Sequence, residues 1–397
     1  MSKHSSSLHS ARLWQLAPAA LLACSVSAQA ADPAPLSEAT TQQIEAVVKK
    51  TLDDNGVQLF GYGRGGFYSA SGNQQKGQYQ LGGDLQHYRL GNEGDNYIEF
   101  GIGKKWDLGG GLKAVFDLEN QFAVDTGANK SASLAFSRKA DVGVSGSFGR
   151  LTAGRHTIFS YDVQADLDPV QFANFSPLGN SGDAPVVQFA DYQVVNARRD
   201  NSIKYSYEQN GITAGLLYAF GEVAGSTSAG STLGARLGYG AAGFNVQAAY
   251  DQTKDGTGSN KASGLTLGGT YTLGDVTGYL GWVEVKNDFH AAGGFGRKNS
   301  VWWLGARCQA SKELALHAGF YDQKQSGTTD KTGAATPAGD GTAHTLSLLA
   351  DYSLSKRTDV YASLQHTSLK DGMVAAMSPS GVSSAVTTTM LGLRTKF

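Results

Sequence analysis

The sequence predicts an all-β protein, a 16-stranded antiparallel transmembrane β-barrel. Three observations support this prediction: an export signal at the amino terminus, apolar and polar residues that alternate with a period of two, and short turns that alternate with long polar loops. A strand with lipid on one side and water on the other alternates in this way. Such strands also explain why the mean hydropathy is only −0.26.

Residues 1–30 have the features of a cleaved signal peptide. Lys3 and Arg12 form a basic segment, LWQLAPAALLA is a short apolar core, and Ala28-Gln29-Ala30 is an A-x-A cleavage site. The apolar core is shorter than the roughly 18 to 20 residues of a spanning helix. The alternative is a lipoprotein cleavage box at Leu21-Leu22-Ala23-Cys24. Residues 1–30 therefore predict an exported protein.

Charge and cysteine content exclude several classes of protein. Without Lys3 and Arg12 the chain keeps 31 of its 33 bases against 34 acids, and this balance argues against a nucleic-acid partner. The two cysteines are Cys24, in the signal, and Cys308, so a mature chain cannot form an intramolecular disulfide. We predict neither a metal site nor a cofactor.

Residues 31–56 are predicted to form a short periplasmic helical segment. Ile44, Val47, Val48 and Leu52 recur at helical spacing, and Asn55-Gly56 can end the helix. The helix either rests on the end of the barrel or forms a short coiled coil between subunits. The barrel itself is predicted over residues 57–397.

Strand alternation is clear in GLKAVFDLENQFAV, residues 111–124. Leu112, Ala114, Phe116 and Leu118 share one face, and polar residues such as Lys113 share the other. Residues 243–251 and 264–273 repeat the pattern. In SVWWLGARC the same parity places Trp303 and Arg307 on the water side and Trp302 on the lipid side.

Connections between the strands alternate in length. The predicted tight turns are residues 107–111, 149–150, 209–211, 240–243, 273–275, 311–312 and 355–356. The predicted long loops are near residues 70–94, 124–137, 157–199, 222–230, 253–261, 288–298, 324–341 and 370–383. Outer-membrane barrels have short periplasmic turns and long outer loops, and an even number of strands.

One motif suggests a different function. FGYGRGGF contains Gly61, Gly63 and Gly66 at the spacing of a dinucleotide-binding loop, but no helical pattern follows it. A phosphate site of this kind requires a helix amino terminus. We therefore assign the run to the first strand, with Tyr62 and Arg64 facing the lumen.

Several long phrases resemble the general porins of Gram-negative bacteria, which are 16-stranded trimers. These phrases are GGGLKAVFDLENQF, NSIKYSYEQNGITAGLLYAFGEVAGSTSAGS, LLADYSLSKRTDVYASL and the terminal LGLRTKF. The resemblance implies a homotrimeric, water-filled channel for small hydrophilic solutes, with membrane lipid around it.

The resemblance also implies an inward-folded constriction loop at residues 157–199, which exceeds the roughly 12 to 15 residues of ordinary loops. Its acids Asp162, Asp166 and Asp168 would narrow the pore. The implied wall bases opposite them are Arg89, Arg138, Arg155, Arg198, Arg199 and Lys204. Such an arrangement creates a transverse field that favours polar solutes. A solvated acidic loop without a role in selectivity is the alternative.

The first strands resemble a second family, the sugar-specific maltoporins, through VQLFGYGRGGFYSASG and HYRLGNEGDNYIEFGIGKKW. This resemblance implies that Tyr62 and Tyr97 stack on sugar rings while Arg64, Arg89 and Glu99 bind hydroxyls. The strand alternation places Trp303 on the lumen face as well, where its ring could also stack on a sugar. Maltoporins have more strands than are predicted here.

Taken together, these patterns predict an outer-membrane porin that favours sugars. A non-specific, ion-selective diffusion porin is the alternative within the same class. Two alternatives belong to other classes of protein, a barrel enzyme and an adhesin. The enzyme would need a nucleophile motif around one of the histidines. We predict that the protein is not an enzyme.

Overall fold

The computed structural model describes residues 37, 39–40, 42–44, 46–47, 57–71, 80–81, 100–120, 129, 131, 133–171, 176–178, 197–288, 296–329, 339–377 and 383–396. For residues 57–71, 80–81, 100–101, 375–377 and 396 it gives the course of the backbone only.

Strands dominate the described chain. The first nine are β1 (Val57–Ser71), β2 (Gln80–Leu81), β3 (Phe100–Gly109), β4 (Leu112–Asn120), β5 (Lys139–Gly146), β6 (Gly149–Thr157), β7 (Arg198–Gln209), β8 (Ile212–Ala219) and β9 (Thr232–Ala241). The others are β10 (Phe244–Lys254), β11 (Lys261–Leu273), β12 (Val276–Asn287), β13 (Gly296–Gln309), β14 (Leu314–Thr329), β15 (Gly341–Ser353), β16 (Thr358–Asp371) and β17 (Ala385–Lys396). Two helices interrupt them, α1 (Phe159–Leu167) and α2 (Gly372–Met377).

The strands close into one barrel. Seventeen described strands form a single sheet, and because β2 has only two residues, sixteen long strands make up the wall. From β3 onward each strand pairs antiparallel with the next, and β17 pairs with β1. β1 pairs in turn with β3, so the ring is complete. The predicted fold class and number of strands are confirmed.

The two ends of the barrel differ in their connections. All seven predicted tight turns lie at one end, and the connections at the other end are longer. Asn210 and Gly211 both have positive φ, 54° and 78°, which is the backbone of a two-residue hairpin turn. We call the two ends the short-turn end and the long-loop end.

The two faces of the wall differ as the alternation predicts. Leu216, Leu237 and Leu280 on the outer face are 61%, 64% and 60% exposed. Polar side chains such as Asp251, Thr266 and Asn299 are buried on the inner face. An apolar outer band and a polar interior are what a barrel in lipid requires. No helix among the described residues is long and apolar enough to cross a membrane.

The long connection after β6 enters the barrel and forms α1. Phe159, Tyr161, Val163 and Leu167 are buried there in a cluster that includes wall residues. The sequence predicts an inward loop at this position but no helix. The helix gives the segment internal backbone hydrogen bonds, which a chain buried within a barrel needs.

The amino-terminal region is a separate compact unit, Met1–Thr51. Residues 39–40, 42–44 and 46–47, which lie within the predicted segment 31–56, are helical. The signal peptide and the end of the helix lie outside the described residues and stay predictions.

Candidate functional site

Helix α1 lies against the inner face of β9 to β12, where glycines leave room for it. A Cβ atom added to Gly268 would lie 2.8 Å from Leu167 Cδ1, and one added to Gly319 would lie 2.9 Å from Pro169 Cγ. Three further inward glycines are covered in the same way by Phe159, Trp303 and Pro169. We call the five the glycine track: Gly215, Gly268, Gly281, Gly305 and Gly319.

The amino-terminal half of α1 is held by wall residues from two sides. The Ser160 backbone N–H donates to Asp251 Oδ2 of β10 at 2.6 Å. A carboxylate at this position also stabilises the positive end of the helix dipole. On the other side Lys204 Nζ of β7 donates to Asp162 Oδ2 at 2.7 Å, and Thr157 Oγ1 donates to Asp162 Oδ1 at 2.7 Å.

The carboxyl-terminal half is held as firmly. Arg236 Nη2 lies 2.6 Å from Asp166 Oδ2. Trp303 Nε1 donates to the Leu167 carbonyl at 2.9 Å, and the Tyr321 hydroxyl donates to Asp168. Just after α1, His317 Nδ1 lies 2.8 Å from the Pro169 carbonyl oxygen. Because buried hydrogen bonds are costly to break, we infer that α1 is a fixed part of the lumen.

The three predicted acids of the loop are therefore all paired. Asp162 and Asp166 meet bases of the wall, whereas Asp168 is 2% exposed and bonded to Tyr321. The sequence predicts Asp168 as an acid of the pore. In the structure Asp168 follows the last residue of α1 and is buried against Tyr321, and its role in the pore stays a prediction.

The predicted wall bases lie mostly at the neck of the loop, where Ile158 N donates to the Ala197 carbonyl at 2.9 Å. The Arg198 guanidinium lies 5.6 Å from the Tyr161 ring, and Arg199 donates to Thr253 Oγ1 at 2.8 Å. Arg155 pairs with Asp200 at 2.5 Å. Arg138 is buried beside them, and Lys204 is the predicted base that meets an acid of α1.

A cavity of about 400 Å³ lies between α1 and the wall formed by β3 to β7. The bases and acids around it are Lys105, Lys113, Lys139, Arg150, Lys204, Arg236, Asp141, Asp162 and Glu208. We call the first four of these the basic wall. Lys105 and Lys113 are exposed in the cavity.

Two acids of this wall, Asp117 and Asp141, lie behind its bases, whereas Glu208 of β7 is 42% exposed. Lys139 Nζ lies 3.0 Å from Asp117 Oδ2, and Arg150 Nη2 lies 2.9 Å from Asp141 Oδ1. The Lys139 and Arg150 side chains are 19% and 20% exposed, whereas that of Asp141 is 0% exposed. A solute in the cavity therefore meets ammonium and guanidinium groups before it meets these carboxylates.

The sequence prediction did not include the basic wall or Arg236. Strand parity could have found these residues, since Lys113 alternates with apolar residues that face outward. The length of residues 157–199 indicated charges on and beside that loop instead.

A serine, a histidine and an aspartate also meet on this wall, but their hydrogen bonds oppose catalysis. His156 Nδ1 lies 2.7 Å from Ser202 Oγ, and His156 Nε2 lies 3.6 Å from Asp141 Oδ2. The Ser202 hydroxyl also lies 2.9 Å from the Gly154 carbonyl and 3.2 Å from the Arg199 carbonyl, and either can accept its single hydrogen. With the hydrogen on a carbonyl, His156 Nδ1 donates to Ser202, which is opposite to the direction in which a base activates a serine nucleophile.

The predicted sugar contacts fall largely outside the described residues, which exclude Arg89, Tyr97 and Glu99. Tyr62 and Arg64 lie in β1, which is described by its backbone, with Arg64 in register with Arg394. Trp303 faces inward as parity predicts, yet its side chain is fully buried and anchors α1. Its ring is therefore not open to a sugar in this structure.

Comparisons with known proteins agree with this geometry. Residues 17–372 match the model of the family described as Gram-negative porin. The chain is 28% identical to outer membrane porin protein 32 of Delftia acidovorans, over 74% of this chain and 81% of that protein.

Two solved structures share the fold. An anion-selective porin from Comamonas acidovorans covers 86% of this chain and 99% of its own, with a TM-score of 0.64 and 24% identity. An outer-membrane protein of Vibrio cholerae, solved in a trimer form, covers 86% and 99%, with a TM-score of 0.59 and 18% identity.

Proposed function

We propose that the basic wall makes this channel favour small anions. The chain belongs to the Gram-negative porin family, and the proposal proceeds from that membership. The protein is a passive outer-membrane channel for small hydrophilic solutes and not an enzyme. The proposal concerns which of these solutes pass most readily.

The observation that carries the proposal is the order of charges on the basic wall. Lys105 and Lys113 are exposed in the cavity, and the carboxylates Asp117 and Asp141 lie behind Lys139 and Arg150. The acids of α1, which would otherwise oppose this field, are paired with Lys204 and Arg236. Rings of basic side chains select anions, because a narrow low-dielectric passage focuses their field.

A relative points the same way. The porin from Comamonas acidovorans, with which this chain shares its fold, is anion-selective. The sugar preference predicted from the first strands receives no such support and stays a prediction.

The test is the reversal potential of the purified protein in planar lipid under a gradient of potassium chloride. We expect the wild type to show an anion preference that weakens at high salt, because mobile ions screen charges beyond roughly 10 Å at 0.1 M. Lys105→Gln with Lys113→Gln should move the potential toward cations. Lys105→Arg with Lys113→Arg keeps both charges and should leave it unchanged. A cation preference in the wild type, or an equal shift in both double variants, would contradict the proposal.

We also propose that the channel is a homotrimer, as the porin resemblance implies and as the Vibrio cholerae protein can be. Native mass spectrometry in a mild detergent should give three times the mass of the chain. A monomer at every protein concentration would contradict this state.

A further inference from the structure

The outer wall carries a row of lysines near the long-loop end. Alternation places them among the outward residues of β10 to β16. These lysines, which we call the lysine stripe, are Lys254, Lys261, Lys286, Lys298, Lys324 and Lys370. They lie outside the lumen and take no part in the proposed selectivity.

Strand register makes the stripe continuous along the rim. Lys254 lies opposite Lys261, and Lys286 lies opposite Lys298. Lys324 is in register with Ser300, two residues from Lys298, and Lys370 is in register with Thr342. Neighbouring strands are about 4.8 Å apart, so adjacent ammonium groups can reach one anion.

The level of the stripe is fixed by the row of side chains beneath it. Trp282 lies opposite Trp302, Trp302 opposite Asp322, and Asp322 opposite His344. Trp302 is 41% exposed, and its Nε1 donates to Asp322 Oδ2 at 2.9 Å. Two residues further from the loops along each strand, the outward side chains include Leu280, Leu304 and Leu346. Tryptophans mark the boundary between hydrocarbon and headgroups, so the stripe lies at headgroup level.

The six lysines of this rim outnumber the acids of the described outward rows, which are Glu284, Asp322 and Asp288, the last of these beside Lys261. Glu284 lies 2.8 Å from Lys298 and 3.3 Å from Lys286, and Asp322 is shared by Trp302 and His344. Directly opposed like charges, as in Lys254 with Lys261, destabilise a strand pair. An anion placed between them would remove that penalty. The short-turn end differs, with outward side chains such as Tyr239, Phe244 and Tyr271.

We propose that the lysine stripe binds the phosphate groups of lipid headgroups in the membrane leaflet that faces the long loops. The lysines donate to the phosphate oxygens, while the tryptophan row and the leucines beneath it contact the acyl chains. The lipid thus holds together a rim whose own charges repel.

The experiment uses the full-length protein in phosphatidylcholine vesicles that contain phosphatidic acid with brominated chains. The measurement is made in the Trp106→Phe background, which removes the outward indole of the short-turn end, so that bromine quenches Trp282 and Trp302. Brominated phosphatidylcholine provides the uncharged reference. Wild type should bind phosphatidic acid more tightly than phosphatidylcholine. Lys286→Gln and Lys298→Gln should each weaken that binding by about fivefold, as expected for one lysine near an anionic surface.

Lys312→Gln is the matched control, since Lys312 is an exposed lysine in the short-turn hairpin between β13 and β14, at the opposite end of the barrel from the stripe. It should leave the quenching unchanged. An effect as large as that of Lys298→Gln would overturn the proposal, as would equal affinity of the wild type for both lipids. Displacement by inorganic phosphate at constant ionic strength would assign the site to free phosphate instead.

Two further measurements separate this proposal from others. Native mass spectrometry of Lys286→Gln with Lys298→Gln should show an unchanged oligomer, and dissociation would identify the stripe as a contact between subunits. The reversal potential of this variant should equal that of the wild type. The two proposals can therefore fail independently.

Discussion

The two halves of the inner wall have different structural roles. On the half formed by β8 to β14, glycines and buried aromatic residues hold α1, and Asp166 and the end of α1 are bonded to that wall, whereas Asp162 is bonded to Lys204 of β7. On the half formed by β3 to β7, lysines and arginines line a cavity, with the carboxylates of Asp117 and Asp141 behind them and that of Glu208 exposed beside them. One half therefore fixes the width of the channel, and the other sets its charge.

Because the two roles are separate, we expect the width of the channel and its ion preference to respond to different substitutions. A change at the glycine track or its aromatic residues should alter stability and conductance and leave the ion preference in place. A change on the basic wall should do the reverse.

The largest effect is expected for Trp303→Ala. The substitution removes a fully buried indole and its hydrogen bond to Leu167, and losses of this kind cost about 3 to 5 kcal/mol. Thermal unfolding should occur at a lower temperature, and single channels should be larger and noisier. Trp302→Ala, on the outer face of the same strand, is the control and should cost less. Equal losses in the two variants would mean that α1 does not depend on Trp303.

A smaller effect is expected for Gly305→Ala. The new Cβ would meet the Pro169 ring, and overpacking of this kind costs about 1 to 3 kcal/mol. We expect altered conductance with an unchanged reversal potential. Gly256→Ala is the control, because a Cβ there has no neighbour within 4 Å. If conductance in Gly305→Ala stays at the wild-type value, the glycine track does not position α1.

The smallest effect is expected outside both halves, in residues 255–260 at the long-loop end. Partial burial acts to raise the pKa of Asp255, but hydrogen bonds from Asn260 and Thr257 prevail and lower it from 3.8 to about 2. The carboxylate therefore stabilises this loop above pH 3.8, and the stabilisation is lost as the pH falls through about 2. In wild type the backbone N–H groups of Gly258 and Asn260 should lose protection against hydrogen exchange, expressed relative to the intrinsic rate at each pH, between pH 3.8 and pH 2. Asp255→Asn should show the same protection at pH 3.8 and at pH 2, and wild-type protection that does not change with pH would contradict the assignment.

Much of the fold was predictable from local patterns. Alternation in segments such as residues 111–124 gives each strand and its faces, and pairs such as Asn210-Gly211 give the turns. Ring closure follows because a barrel in lipid cannot leave an edge unpaired. Helix α1 was not predictable in this way, since its buried residues cover most of its surface and show no clear apolar stripe.

The site was predictable only in part. The sequence indicates that the loop enters the barrel, and Asp162 does meet Lys204. It does not indicate against which half of the wall the loop lies, because that depends on contacts between distant residues such as Leu167 and Gly268. The burial of Asp168 and the exposure of Lys105 both follow from that choice.

The pairing of β1 with β17 has a consequence for assembly. Tyr62 lies opposite Lys396, so hydrogen bonds that complete the ring join strands from opposite ends of the barrel sequence. Contacts of such long range form slowly, and until they form both strands expose edges that can recruit other chains. A nascent chain that lacks β17 could neither seal itself within a bilayer nor hide those edges. Protection by chaperones should therefore be needed until the last strand has been delivered.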